Sequence, residues 1–248
     1  MLILALTGAC IALGYIVFGL TGFGASIVAV PLLAQIIPLK LAVPIMLVMD
    51  IVAGLVIGRR QRGQADTVEI RHLIPWISLG MLAGVTLLVS APEHLLLLLL
   101  GIFAFGQSVR HLVFVRDHRN IAPVWGKVYG LGGGAMTSMF GTGGPVYAMY
   151  LARRIADESR RRATATLLTW ITALARLMLF AVTGLLIQPD LGMYLLACLP
   201  FCLLGLLAGS TLRRRLHVHQ LNRLVWVVVG AAGLSLLVRY APYALTSF

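Results

Sequence analysis

Residues 75–86 read PWISLGMLAGVT, and residues 200–211 read PFCLLGLLAGST. At a constant offset of 125, seven of the twelve positions coincide: Pro75/Pro200, Leu79/Leu204, Gly80/Gly205, Leu82/Leu207, Ala83/Ala208, Gly84/Gly209 and Thr86/Thr211. A match of this density half a chain apart indicates duplication. A fainter echo sets FGLTGFG (18–24) against FGTGG (140–144) at an offset near 122. The expected organisation is therefore two repeats, over 1–120 and 121–248.

The material between these landmarks is apolar. Of 248 residues, 60% are hydrophobic and 11% charged, against about 25% charged in a soluble domain. Ten apolar pieces follow one another, at about 2–18, 24–37, 39–58, 72–90 and 94–115, then about 125–140, 145–152, 163–184, 191–211 and 221–240. Several reach the ~18–20 residues needed to cross ~30 Å of hydrocarbon. The ~10-residue alternation of a membrane barrel is missing. The expected fold is an all-α polytopic membrane protein of about 8–10 transmembrane segments. The first two pieces of each half are short and joined by glycine-rich breaks. Each pair reads either as two short crossings or as one re-entrant hairpin.

The net charge of +12 is distributed as topology signals rather than as a nucleic-acid surface. Sixteen of the twenty basic residues stand in four connections: Arg59, Arg60, Arg62 and Arg71; Arg110, Arg116 and Arg119; Arg153, Arg154, Arg160, Arg161 and Arg162; and Arg213, Arg214, Arg215 and Arg223. The connections SAPEH (90–94) and LIQPDLG (186–192) carry none. By the positive-inside rule the basic connections face the cytoplasm, which sets both chain ends outside. Lacking a basic n-region, the first helix is expected to be retained rather than removed as a signal peptide. Cys10, Cys198 and Cys202 have no metal-ligand spacing and read as small buried thiols.

On this topology residues 72–90 run outward and 191–211 run inward, so the two copies have opposite orientation. Inverted-topology repeats are typical of secondary transporters, whose sites lie near the midplane where the repeats meet. The paired glycines Gly80/Gly84 and Gly205/Gly209 read as close helix packing rather than as site residues.

The breaks carry the candidate chemistry. In SMFGTGGPVYAMY (138–150), Pro145 suits the first turn of a new helix, with Thr142 or Gly144 at or near the N-cap. GLTGFGAS (19–26) reads likewise, with Ser26 or Thr21 as capping candidates. Backbone freed inside a bilayer persists only where protein or a water-filled cavity satisfies it. A helix N-terminus adds bare N–H groups and about half a positive charge. Two such tips would make an anion site, with Thr21, Gly22, Gly24, Ser26, Gly141, Thr142, Gly143 and Gly144 as candidate substrate contacts. The competing reading is that these glycines only permit a kink or tight packing. No GK[ST] follows either break, which removes a phosphate loop.

Two ionisable residues stand deep within spans: Asp50, in IMLVMDIVAGLVIG, and Arg176, in TALARLMLFAV. Intramembrane charges are costly and point to function by default. At an offset of 126 the two occupy near-equivalent positions, and two readings stand side by side. They form a structural ion pair, or Arg176 contacts an anionic substrate while Asp50 couples transport to a proton or sodium ion. Gln35, Gln107 and Ser108 are weaker path-lining candidates. Glu93 and His94 read as solvated at an outer connection, and Trp125, Trp170 and Trp226 as interface anchors. HVH (217–219) lacks a companion ligand, and His111 and His118 stand near cytoplasmic connections, so no metal is expected.

The two hairpins FGLTGFGASIVAVPLL (18–33) and SMFGTGGPVYAMYL (138–151), in a duplicated membrane chain of this length, resemble the sulfite exporter TauE/SafE family. The resemblance covers nearly the whole chain. It implies a bacterial inner-membrane permease for small sulfur-containing anions such as sulfite, sulfoacetate and other organosulfonates. It also makes the segments around Gly22, Gly24, Gly141, Gly143 and Gly144 the substrate region, and assigns no role to Asp50 or Arg176. Val146 departs from relatives that carry a second proline there, which leaves the subfamily open.

The expected function is thus a secondary transporter, an exporter of a small sulfur oxyanion by alternating access, with no cofactor and no enzymatic step. Its partners are the bilayer, the anion and a coupling proton or sodium ion, with no nucleic acid, and the sequence sets no oligomeric state. The alternatives are a gradient-driven permease for another solute or a cation using Asp50, and a membrane protein without a transport role.

Overall fold

The computed structural model describes residues 2–21, 24–58, 65–113, 121–212 and 218–246, and among these it is all helix. Ten helices follow in order: α1 (Leu2–Thr21), α2 (Ala25–Leu33), α3 (Leu39–Gly58), α4 (Thr67–Ser90), α5 (Glu93–Val113), α6 (Trp125–Phe140), α7 (Gly144–Arg154), α8 (Glu158–Val182), α9 (Leu191–Leu212) and α10 (Val218–Thr246). Each apolar piece of the sequence is one helix. Seven of them, α1, α3, α4, α5, α8, α9 and α10, are long and apolar enough to cross a membrane. The 9 residues of α2 and 11 of α7 extend only about 14 and 17 Å at ~1.5 Å per residue, well short of the ~30 Å hydrocarbon core. Each is the short limb of a hairpin and does not cross.

The surface is apolar where a soluble protein would be charged: Val182 is 87% exposed, and Met178, Leu196, Leu204 and Val238 are also open. Helix α8 shows the logic. Its buried residues are Thr164, Leu168, Thr172, Arg176 and Phe180, one every fourth position along one stripe. That stripe holds Thr164, Thr172 and Arg176, while Leu174, Met178 and Val182 face outward. In lipid, polar side chains turn inward, toward partners the hydrocarbon cannot supply.

Packing pairs the helices reciprocally. α4 lies along α6 and α1 along α9, while α5 pairs with α10, α3 with α8, α3 with α9, and α4 with α8. The repeated glycines are what bring the closest pairs together. A Cβ at Gly80 would run into the Leu131 carbonyl of α6, and one at Gly209 into the Ile16 carbonyl of α1. The paired glycines of the repeat are packing residues, and backbones meet where side chains are missing.

Three expectations need correction. Glu93 is not simply solvated: its Oε1 accepts the Leu39 amide at 2.8 Å and satisfies the start of α3. Trp226 is buried and stacks on His111 at 4.0 Å, so it anchors α10 to α5 rather than to an interface. Cys198 and Cys202 are buried free thiols, but Cys10 is only half-buried. His118 and His217 lie outside the described residues. No cluster of three metal-ligating side chains occurs among the described residues.

Candidate functional site

The second break is built by one glycine in the left-handed region. Gly141, at φ 72°, ends α6, and its amide bonds the Thr137 carbonyl at 2.8 Å. The next amide, Thr142, reaches the Met136 carbonyl at 3.2 Å. The chain then restarts as α7 with Gly143 at the N-cap and Pro145 in the first turn, where a missing N–H costs nothing. Val146 and Tyr147 N–H both bond the Gly143 carbonyl, whereas the Gly143 and Gly144 amides find no acceptor among the described residues. A Cβ at Gly144 would meet nothing within 4 Å, so this helix start faces open space. Gly143 differs, because a Cβ there would overlap the Thr137 hydroxyl and the Gly133 carbonyl. Gly143 therefore serves packing, and Gly144 leaves room.

The first break restarts at Gly24, φ 90°, which leads into α2. Thr21 is the last residue of α1, its side chain outside the described set, and Gly22 lies outside the described residues altogether. The N-cap of α7 is Gly143, between Thr142 and Gly144 where the sequence set the helix start, whereas that of α2 is Gly24 rather than Ser26. Neither N-cap has a side-chain hydrogen bond. Ser26 donates to Asp50 Oδ2 at 2.8 Å, and the Thr142 hydroxyl turns back toward the Met136 carbonyl at 3.5 Å. Ser26 is already the second residue of α2, past the Gly24 N-cap, and its hydroxyl proton goes to the charged acceptor within reach, the Asp50 carboxylate.

Asp50 of α3 is held from both limbs of the first hairpin. Tyr15 of α1 donates to Oδ1 at 2.7 Å, and Ser26 of α2 to Oδ2. Arg176 of α8 is 3% exposed. Its Nη1 donates to the Thr137 carbonyl at 3.3 Å, its Nη2 to the Val43 carbonyl at 3.2 Å, and its Nε has no partner. The guanidinium also stands over the Phe180 ring, 5.4 Å from its centroid. Asp50 and Arg176 lie within electrostatic reach, yet they form no ion pair. Each is tied to other groups, which removes the direct salt bridge as a description of the pair.

Gly141 joins these parts. The place where its Cβ would stand is 2.5 Å from Arg176 Nη1 and 2.9 Å from Ser26 Oγ. The left-handed turn of the second break, the first turn of α2, Asp50 and Arg176 therefore converge on one spot, with the open side of Gly144 on the same break. Of the candidates, Ser26, Asp50, Gly141 and Arg176 come together, while the Thr142 side chain turns away.

The sequence reading missed Tyr15, Thr137 and Tyr147, although each is a hydroxyl in or beside an apolar helix. The Tyr147 hydroxyl meets that of Thr137 at 2.8 Å and ties α7 to α6. Also missed was Glu69, which is buried at the start of α4. Arg154 grips it at 2.8 and 2.6 Å, and Tyr150 donates to its other oxygen at 2.9 Å. The spacing Asp66-x-x-Glu69 was a legible helix-start signal. Asp66 does cap α4, and it pairs with Arg160 at 3.1 Å.

Residues 6–236 match the family model described as Sulfite exporter TauE/SafE. The chain belongs to the sulfite exporter TauE/SafE family. It is a membrane transporter of that family and not an enzyme. A relative, the probable inner membrane transporter protein TsaS of Comamonas testosteroni, is 25% identical over 193 residues, 77% of this chain and 81% of TsaS. No solved structure matches the chain.

Proposed function

We propose that this TauE/SafE member is a secondary transporter that exports a small sulfur oxyanion, such as sulfite, sulfoacetate or another organosulfonate. Its site is the meeting point of the two breaks. The observation that carries this reading is the Arg176 guanidinium, 3% exposed, with an unpartnered Nε and two long bonds to carbonyls, beside the Gly141 turn. The hydrogen bonds of this buried cation go to neutral carbonyls, and Asp50, though within electrostatic reach, forms no salt bridge with it, so its charge is only partly compensated. An oxyanion supplies the missing charge, and the forked guanidinium suits its geometry. The bare Gly143 and Gly144 amides and the dipole of α7 add donors without further charges.

Alternating access follows from two inverted repeats, over 1–120 and 121–248. The reciprocal pairs α1 with α9 and α6 with α4 support it, because exchanging the halves turns one into the other. Asp50 is the coupling group, for a proton or sodium ion. Its ties to Tyr15 and Ser26 link its charge state to both limbs of the first hairpin. The basic connections face the cytoplasm of a bacterial inner membrane, and the C-terminus lies outside. A cation permease using Asp50 is less well supported, since both of its oxygens already accept hydrogen bonds.

The test is flux of sulfite and sulfoacetate in proteoliposomes, with pH gradient and potential set independently. The expected result is gradient-dependent anion movement by the wild type. Arg176→Lys should lose it while the protein remains abundant in the membrane. A fully active Arg176→Lys protein removes Arg176 from the site.

A further inference from the structure

Thr137 of α6 is a junction between helices. Its carbonyl accepts two donors, the Gly141 amide at 2.8 Å and Arg176 Nη1 at 3.3 Å. Its hydroxyl stands 2.7 Å from the Gly133 carbonyl and 2.8 Å from the Tyr147 hydroxyl. A threonine hydroxyl has one proton, and a carbonyl can only accept. The Thr137 proton therefore goes to Gly133, and Tyr147 is the donor of the second bond. Both side chains are buried, where an O–H stripped of its acceptor costs more than the bond itself returns. Two glycines make the fit possible. A Cβ at Gly133 would run into the Tyr147 ring, and one at Gly143 into the Thr137 hydroxyl. The ring thus fills the space that Gly133 leaves, and the N-cap of α7 rests on Thr137.

Through Thr137, three parts of the anion site share one anchor. These are the left-handed turn at Gly141, the Arg176 guanidinium and, by way of Tyr147, the first turn of α7. The Tyr147 amide bonds the Gly143 carbonyl at 3.1 Å, so the ring and the N-cap move as one piece. The spacing between Arg176 and the Gly143 and Gly144 amides therefore depends on the bond between two hydroxyls. Donors act together on one anion only when they are held within about 0.5 Å of the productive geometry. We propose that Tyr147 is a positioning residue of the anion site: its hydroxyl, through Thr137, sets the distance between the Arg176 guanidinium and the start of α7. Tyr147 acts on where the donors stand and does not itself touch the anion. The inference rests on the transport reading for its effect on flux, and on the hydrogen bonds alone for the link from Tyr147 to Arg176.

The experiment is a double-mutant cycle of Tyr147→Phe and Thr137→Val in the full-length protein. It is read by sulfite flux in proteoliposomes and by thermal unfolding in detergent. Tyr147→Phe keeps the ring in its slot and removes only the donor. It should raise KM for sulfite about tenfold, the upper range for the loss of one hydrogen bond, and leave kcat within about twofold. Thr137→Val should raise KM as much, and should unfold at the lowest temperature of the set because it strands the Tyr147 O–H without an acceptor. In the double variant both polar partners are gone, so thermal stability should recover toward wild type while KM stays at the single-variant value. A purely structural role makes KM follow stability, and a KM that recovers with it overturns the proposal. So does an unchanged KM in Tyr147→Phe, or KM rises that multiply in the double variant.

A second cycle, Tyr147→Phe with Arg176→Gln, is read by thermal unfolding in sulfite-free buffer. Its losses should be less than additive, because without Arg176 the Thr137 carbonyl has one donor fewer to hold in place. Should the wild type move no sulfite while this cycle is less than additive, the link from Tyr147 to Arg176 stands and the transport reading falls. An additive second cycle overturns the link, and leaves the transport reading in place where the wild type moves sulfite.

Discussion

A methyl group at residue 141 is the most direct probe of the convergence described above. Gly141 is left-handed at φ 72°, a conformation that costs an alanine about 1–2 kcal/mol relative to glycine. The added Cβ would also fall 2.5 Å from Arg176 Nη1 and 2.9 Å from Ser26 Oγ, so the guanidinium must withdraw. Withdrawal breaks its bond to the Thr137 carbonyl, and a hydrogen bond to a charged group is worth about 1.5–3 kcal/mol. The sum for Gly141→Ala is about 2.5–5 kcal/mol, a large part of the stability of a domain of ordinary size. Gly144→Ala is the matched control, because its Cβ meets nothing within 4 Å and its φ is not positive. That substitution should leave thermal unfolding in detergent within about 0.5 kcal/mol of wild type. If the anion sits against the α7 start, Gly144→Ala still raises the KM for sulfite, because the methyl occupies the space. Scanning fluorimetry and sulfite flux in proteoliposomes read the two effects separately. A Gly141→Ala protein that matches wild type in both assays refutes the argument that Arg176, Ser26 and Gly141 share one crowded spot.

Three more outcomes are expected. Glu69→Ala strips Arg154 and Tyr150 of their shared acceptor. It should cost about 2–3 kcal/mol by thermal unfolding, below the ~3–5 kcal/mol of a fully buried pair because Arg154 remains 27% exposed. Gly209→Val pushes a branched side chain into the Ile16 carbonyl and should separate α9 from α1, at about 1–3 kcal/mol, whereas Gly132→Val, which faces open space, should be nearly silent. At the start of α8, the Ser159 amide holds the Asp157 carboxyl below its ordinary value. Its contribution should be complete above pH ~4 and fade as the pH falls through the lowered value. The stability difference between wild type and Asp157→Ala, followed by pH titration of thermal unfolding, should therefore be flat above pH ~4 and shrink below it.

The helices were legible because lipid makes a strong demand: an apolar run must be a helix or part of a closed barrel, and glycine breaks punctuate such runs visibly. Arg176 was legible for a related reason, since a charge in hydrocarbon needs a cause. The routing of hydroxyls was not. Ser26 looks like a cap from its local sequence, and only the approach of Asp50 from α3 redirects it. Tyr15 could not be told from a lipid-interface tyrosine until α1 was set against α3. Trp226 was misread similarly, because burial on His111 depends on the α5–α10 pairing. The short limb α2 was ambiguous in the sequence because its apolar character, over 24–37, continues past the residues that coil, Ala25–Leu33.

Proline inside α3 has a consequence for how the chain is made. Pro44 has no N–H to offer the Lys40 carbonyl one turn earlier, and that carbonyl is met by Gln188 Nε2 at 2.9 Å. Near it, the Val43 carbonyl is the one that takes Arg176. Both donors belong to the later half of the chain. During synthesis, the first half therefore enters the bilayer with backbone acceptors whose protein donors have not yet been translated. The two halves of the chain are consequently not interchangeable: two copies of the first would have the acceptors and neither donor. A split version of this protein should assemble only when both pieces are made together, with the earlier piece awaiting the later one.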